Sequence, residues 1–139
     1  MDPKFFESII IFCDGACSGN PGKGGWGAII ALPEGKVKEI GGDAKLTTNN
    51  QMELTAAIES LRAVSKIPGQ VQLFTDSVYV IRGITQWIWG WRKKGWKTAE
   101  GKEVANREYW EELSQVVAGR NKEDKINWHF VRGHSGIAG

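Results

Sequence analysis

Cysteine is scarce in this chain of 139 residues, with two in all, and histidine is no commoner. No Cys/His cluster of zinc spacing can be drawn from so few. Cys13 and Cys17 stand four apart in what reads as extended or turning chain. At about 3.3 Å per residue their Cα atoms exceed the roughly 7 Å that a disulfide spans; a bend at Gly15 would shorten the gap, but packed thiols are the expectation. Long apolar runs are missing as well. None approaches the roughly 18 residues of a membrane span, and the start MDPKFFES lacks one, which argues against a membrane partner and for a cytoplasmic protein. Nor does charge of one sign dominate: the formal net is +2, so its distribution says more than its total. No linker, repeat or low-complexity tract interrupts the chain, which reads as a single domain, 1–139, long enough to bury a core.

What is present begins with IIIFCDGACSGNPGKGG, residues 9–25. Three isoleucines and Phe12 have no helical period and suit a strand buried on both faces. The run ends in Asp14, and burying an ionised carboxylate costs several kcal/mol unless a cation or hydrogen-bond donors compensate it. A metal is the expected compensation. The glycines around Asn20 and Pro21 read as a tight reversal into a second strand, 26–32; a phosphate-cradling loop is disfavoured because GxGxxG spacing is absent and the segment joins strand to strand. A third, more polar strand at 36–43 belongs at the sheet edge.

Helical spacing of Leu54, Ala57, Ile58, Leu61 and Val64 predicts a helix over 50–66, with Asn50 as N-cap and Glu53 as its capping-box partner. Glu53 also borders the inward stripe, where its carboxylate can face the sheet. A short strand over 70–75 leads to Asp76, readable either as the N-cap of a following helix or as a ligand at a strand end. Strand, helix, strand implies a right-handed crossover, so this strand lies parallel to the first and brings Asp76 beside Asp14. Three bare carboxylates there would repel, raise at least one pKa, and favour a divalent cation. Hard oxygen donors fit Mg²⁺ or Mn²⁺, and such a site suits phosphoryl transfer.

Residues 82–102 carry six Lys or Arg against one acid, Glu100, together with four of the seven tryptophans. Cations interleaved with flat aromatics suit a nucleic-acid backbone, although a helix burying its tryptophans looks the same; the tryptophans read mostly as core and Arg92, Lys93, Lys94 and Lys97 as phosphate-facing. Asn106 reads as the N-cap of a helix to about Ala118, and 125–131 as a fifth strand. His134, between Gly133 and Gly136, is a lone histidine, more often a surface residue than a catalyst.

FCDGACSGNPGKGGWGA, TTNNQMEL, FTDSVYVIRGITQWI, GWRKKGWKT and WHFVRGHSG, in this order and over nearly the whole chain, resemble the bacterial type 1 ribonucleases H. The resemblance implies an α/β RNase H-like fold: a mixed five-stranded sheet, three antiparallel strands and two parallel additions, flanked by helices. It also implies metal-dependent endonucleolytic hydrolysis of the RNA strand of RNA/DNA hybrids, with Mg²⁺ or, in its place, Mn²⁺. Asp14, Glu53 and Asp76 fall on three of the family's metal ligands, and His134 on a loop histidine that assists proton transfer or product release. Asn20, Asn49, Asn50 and Gln51 fall along the hybrid's minor groove, where amides can recognise a 2′-hydroxyl, Thr48 near a pocket for a DNA phosphate, and Gly15 among the nucleic-acid-binding positions. The basic segment corresponds to a substrate-binding handle, which turns Trp87, Trp96 and the four cations toward the DNA strand. Val78 departs from the family's usual Gln, removing one polar contact. Relatives continue past the HSG block into a helix bearing a fourth metal-binding Asp. The expectations that follow are reduced cleavage and a possible homodimer through apolar surface that helix would cover. A hybrid-binding module without turnover, an integrase-like nuclease and a redox role for the cysteines are the competing functions.

Overall fold

The computed structural model describes residues 7–132. Strands β1 (Ile9–Gly19), β2 (Gly22–Ala31) and β3 (Val37–Thr47) form an antiparallel meander, followed by helix α1 (Asn49–Ala63) and strand β4 (Val71–Thr75). Helix α2 (Val78–Arg82), a π-turn (Gly83–Trp87) and α3 (Ile88–Lys93) then run end to end. Helix α4 (Arg107–Ala118) and strand β5 (Ile126–Phe130) complete the described chain. The sheet order is β3-β2-β1-β4-β5, with β4 parallel to β1 and β5 parallel to β4. The mixed five-stranded sheet expected from the sequence is therefore present.

The expectation that the first strand is buried on both faces is corrected. The first strand is covered on one face: Ile9, Ile11 and Cys13 are buried, while Phe12 is 48% exposed. Because side chains alternate along a strand, Ile9, Ile11 and Cys13 meet α1, whose Leu54, Ala57, Ile58 and Leu61 are all buried against the sheet. On the other face Phe12 stacks on Phe74, and Phe74 on His129, so a ladder of rings crosses β1, β4 and β5. Edge strand β3 runs four residues further than expected, to Thr47, and exposes Val37 and Leu46, as an edge allows.

Helix α4 sets fully buried Trp110 and Leu113 into the core that α1 shares. A Cβ on Gly83 would overlap the Trp110 ring, so the π-turn can pass here only with glycine. Arg120, just after α4, closes the far end of the fold. Its guanidinium donates to the carbonyls of Val64 at 2.9 Å, Ile67 at 2.9 Å, Gly69 at 2.7 Å and Asp124 at 2.8 Å, gathering the end of α1 and the turn into β4. Arg120→Met keeps the aliphatic stem but leaves these carbonyls without their charged donor. It should lower stability by about 2–3 kcal/mol in urea unfolding, with little effect on site chemistry.

Candidate functional site

Strand β1 pairs with β4 only from Ile9 to Phe12, opposite Val71 to Phe74, and beyond that continues to Gly19 against β2 alone. The two parallel strands part just there. Asp14 lies immediately past the fork, inside a strand and not at its end as expected, and Asp76 follows Thr75, the last residue of β4. A crevice beyond the carboxyl ends of parallel strands is where ligands collect in such sheets. Ser77, not Asp76, caps the helix that follows, its Oγ accepting from Val80 N at 3.1 Å. That leaves the Asp76 carboxylate to the crevice.

Glu53 arrives from α1. The N-cap of this helix is Thr48, whose Oγ1 accepts from Gln51 N at 3.2 Å, so the expected cap at Asn50 is corrected and Glu53 sits two positions too deep for a capping box. Its Oε1 instead accepts from the backbone N–H of Gly15 at 2.5 Å. Helix and strand touch closely enough for this because residue 15 has no side chain: a Cβ would collide with the backbone of Met52 and Glu53. Asp14, Glu53 and Asp76 thus offer carboxylate oxygens that all lie within 4.8 Å of one another.

Burial first, then the hydrogen bond and charge of Asp76, push the Glu53 carboxyl up to about 9, against the Gly15 N–H and with a further push from Asp14. Burial, reinforced by the same three carboxylates, pushes the thiol of Cys13 upward too, so it stays neutral beneath the site and offers no thiolate. The donors are therefore hard oxygens crowded into a partly desolvated cleft, a set that fits Mg²⁺ or Mn²⁺. Without a cation, the native protein holds a proton on Glu53 that the unfolded chain, with an ordinary carboxyl near 4.5, gives up. The contribution is full below the unfolded value and lost as pH rises toward 9. In chelator, the melting temperature should fall from pH 5 to 9, and Glu53→Gln should flatten that slope; parallel slopes would contradict it.

A groove of about 640 Å³ adjoins the carboxylates, lined in part by Phe12, Trp26, Ile29 and Phe74, with Arg132 also on its wall. The amide side chains gather at the start of α1. Asn20, from the β1–β2 turn, accepts from Asn49 N at 3.2 Å, and Asn20, Asn49 and Asn50 are all exposed. Gln51 is half-buried and hydrogen-bonded to Thr47 and Asn106. Val78, beside the site, is 42% exposed.

The basic segment divides differently from its lettering. Trp91 and Trp96 pack against the core, and Trp91 lies among Trp87, Trp96 and Trp110. Trp87 is 37% exposed and meets Tyr79 edge-on. Lys93 and Lys94 are exposed; Lys97 pairs with Glu103 at 3.6 Å, and Arg92 reaches back to Ser114 and over Trp89. His134 lies outside the described residues. Two residues that the sequence did not mark as functional, Asn106 and Tyr79, join the site through Gln51. Asn106 reads in the sequence as an ordinary helix cap, but its backbone is left-handed and its side chain bonds Gln51 and Tyr79 instead of the helix.

Residues 6–139 match the family model described as RNase H. A protein of Cupriavidus pinatubonensis named "Ribonuclease H" is 50% identical over 133 residues, covering 96% of this chain and 88% of the relative. One from Bradyrhizobium sp. strain ORS 278, of the same name, is 55% identical over 128 residues, covering 92% and 79%. Among solved structures, LC9-RNase H1, described as a type 1 RNase H with the type 2 active-site motif, superposes with a TM-score of 0.78 at 32% identity. The match covers 94% of this chain and 65% of that one. LC11-RNase H1, solved in complex with an RNA/DNA hybrid, has the same fold, with a TM-score of 0.69 at 23% identity over 91% of this chain and 86% of that one.

Proposed function

This chain belongs to the RNase H family, and on that premise we propose that it cleaves the RNA strand of RNA/DNA hybrids endonucleolytically, leaving 5′-phosphate and 3′-hydroxyl ends, with Mg²⁺ as cofactor and Mn²⁺ as its substitute. The observation that carries this reading is the meeting of Asp14, Glu53 and Asp76 at the fork between β1 and β4. These three would hold the cation. A divalent ion there supplies Lewis-acid stabilisation of the charge that builds on the scissile phosphate.

The protein's own groups do the rest. Gly15 N–H orients Glu53, and the Glu53 proton must leave before all three carboxylates can bind a cation together. Asn20, Asn49, Asn50 and Gln51 present amides that both donate and accept, as recognition of a ribose 2′-hydroxyl requires. Thr48 and the exposed cations Lys93 and Lys94 suit the phosphates of the DNA strand, and Trp87 offers a partly exposed ring, while Arg92, Trp96 and Lys97 brace the handle and complete its charge. His134 is assigned to proton transfer or product release. The hybrid bound by LC11-RNase H1, which has the same fold, supports the choice of substrate. The homodimer expected from the sequence draws no support from the comparisons.

The test is labelled hybrid, RNA duplex and DNA duplex incubated with purified protein, with Mg²⁺, with Mn²⁺ and with chelator. Fragments should come from the RNA strand of the hybrid alone and only with metal. Salt-sensitive binding of hybrid without fragments under any divalent ion would select the non-cleaving module instead.

A further inference from the structure

Trp26, Trp91, Trp96, Trp110 and Trp128 are buried in the core or packed against it, and Trp87 rests on Tyr79 and Trp91. Trp89 is the exception. It is 60% exposed, more than any other tryptophan of the chain, and so forgoes the stabilisation that burying an indole gives. Its place in α3 explains how. Ile88 is buried and Trp91 packs against the core, and at about 100° per residue these two turn Trp89 and Lys93 outward together, one turn apart. The ring is nevertheless held. The Arg92 guanidinium lies over it at 6.0 Å from the centroid and also donates to Ser114 Oγ of α4, so one face of the indole is fixed from a neighbouring helix. With most of the residue in solvent the other face stays open, and beside it a Cβ on Gly90 would meet nothing within 4 Å.

A flat ring held open among Arg92, Lys93 and Lys94, all exposed, has the composition of a platform for bases: cations for the phosphates and a π-face that any base can use. A partner drawn by apolar surface alone would find a single ring surrounded by positive charge, whereas a polyanion that carries aromatic rings fits both features. Bases inside a hybrid are already paired and stacked on one another, so the ring can take only a nucleotide outside the duplex. We propose that Trp89 stacks on an unpaired base in a single-stranded extension of the DNA strand, while Lys93, about 5–6 Å along the helix, holds that strand's phosphate. The inference rests on the reading of Lys93 and Lys94 as contacts to the DNA strand of a hybrid. It gives the protein a preference for hybrids that end in single-stranded DNA over blunt ones.

Fluorescence anisotropy at low salt in chelator, where hybrid stays whole, tests this with blunt hybrid and with hybrids carrying a short DNA or RNA tail at either end. A DNA tail at one end should tighten binding by about five- to tenfold over blunt hybrid. A tail of abasic nucleotides, which keeps the phosphates but has nothing to stack, should give little of that gain. Trp89→Ala should bring the tailed hybrid to the affinity of the blunt one, and Trp89→Phe should keep part of the difference; melting curves of both variants verify that the fold is intact, as expected for an exposed position. No gain at either end, a gain from RNA tails alone, an abasic tail that binds as well as an intact one, or a gain that survives Trp89→Ala would each overturn the inference. If neither blunt nor tailed hybrid binds, the reading on which it rests falls with it. Tail-dependent binding through Trp89 by a protein that cleaves nothing would uphold the inference and defeat the proposed cleavage.

Discussion

Asp14→Asn should reduce hybrid cleavage by at least about 100-fold while leaving hybrid affinity intact, because it removes charge where the transition state is stabilised and leaves the amide and basic contacts alone. The substitution is nearly isosteric, so the exchange probes charge and not packing. It also removes one of the carboxylates that raise the Glu53 pKa, which should drop and soften the pH dependence of melting in chelator. Gel-based cleavage and fluorescence-anisotropy binding, run on the same preparation, separate the two effects. Loss of binding in step with loss of cleavage would mean that Asp14 supports the fold or the substrate surface and not the chemistry.

Gly15→Ala should damage both stability and cleavage. A Cβ there meets the backbone nitrogen of Glu53 at 2.5 Å and collides with the Met52 carbonyl group, so no side chain can move aside. Either β1 or the first turns of α1 must shift, which breaks the Gly15 to Glu53 hydrogen bond and displaces the Glu53 carboxylate from Asp14 and Asp76. A stability loss of about 1–3 kcal/mol is expected, with cleavage falling by about 100-fold or more. Gly90→Ala provides the contrast. It lies within α3, where an added methyl would meet nothing within 4 Å, and should stabilise by about 0.5–1 kcal/mol through helix propensity alone. Circular-dichroism melts of both variants decide the matter, and similar behaviour of the two would show that helix–strand proximity at residue 15 is not critical.

Much of this site is legible in the residues, and what escapes has a common cause. An isoleucine-rich run that stops at an acid announces Asp14, and the change of period at TTNNQMEL announces α1. Polar residues at helix starts are harder to place. TTNN offers four consecutive side chains able to cap, and choosing among them depends on where the preceding strand stops. Because β3 runs on to Thr47, Thr48 takes the cap and Glu53 moves deeper into the helix, onto Gly15. Ser77 likewise relieves Asp76 of capping, and Asn106 occupies a cap position while bonding elsewhere. Local propensity ranks such residues as caps, and tertiary contacts reassign them. The exposed face of β1 escapes for a similar reason, since three isoleucines and a phenylalanine look alike whether one face is covered or both.

The five-residue π-turn at Gly83–Trp87 works as a phase shifter between the site and the handle. Each residue of an α-helix advances the side-chain direction by about 100°, and the wider turn inserts one residue without lengthening the axis correspondingly. Upstream, Val80 is buried and Tyr79 tilts against Trp110; downstream, Trp91 is rotated onto Trp110, and Trp87 onto Trp91 and Tyr79. Deleting a single residue between 83 and 87 would leave the carboxylates in place but swing the cationic arm around the barrel of its own helix. The direction in which this protein extends its positive charge is thus set by one surplus amino acid.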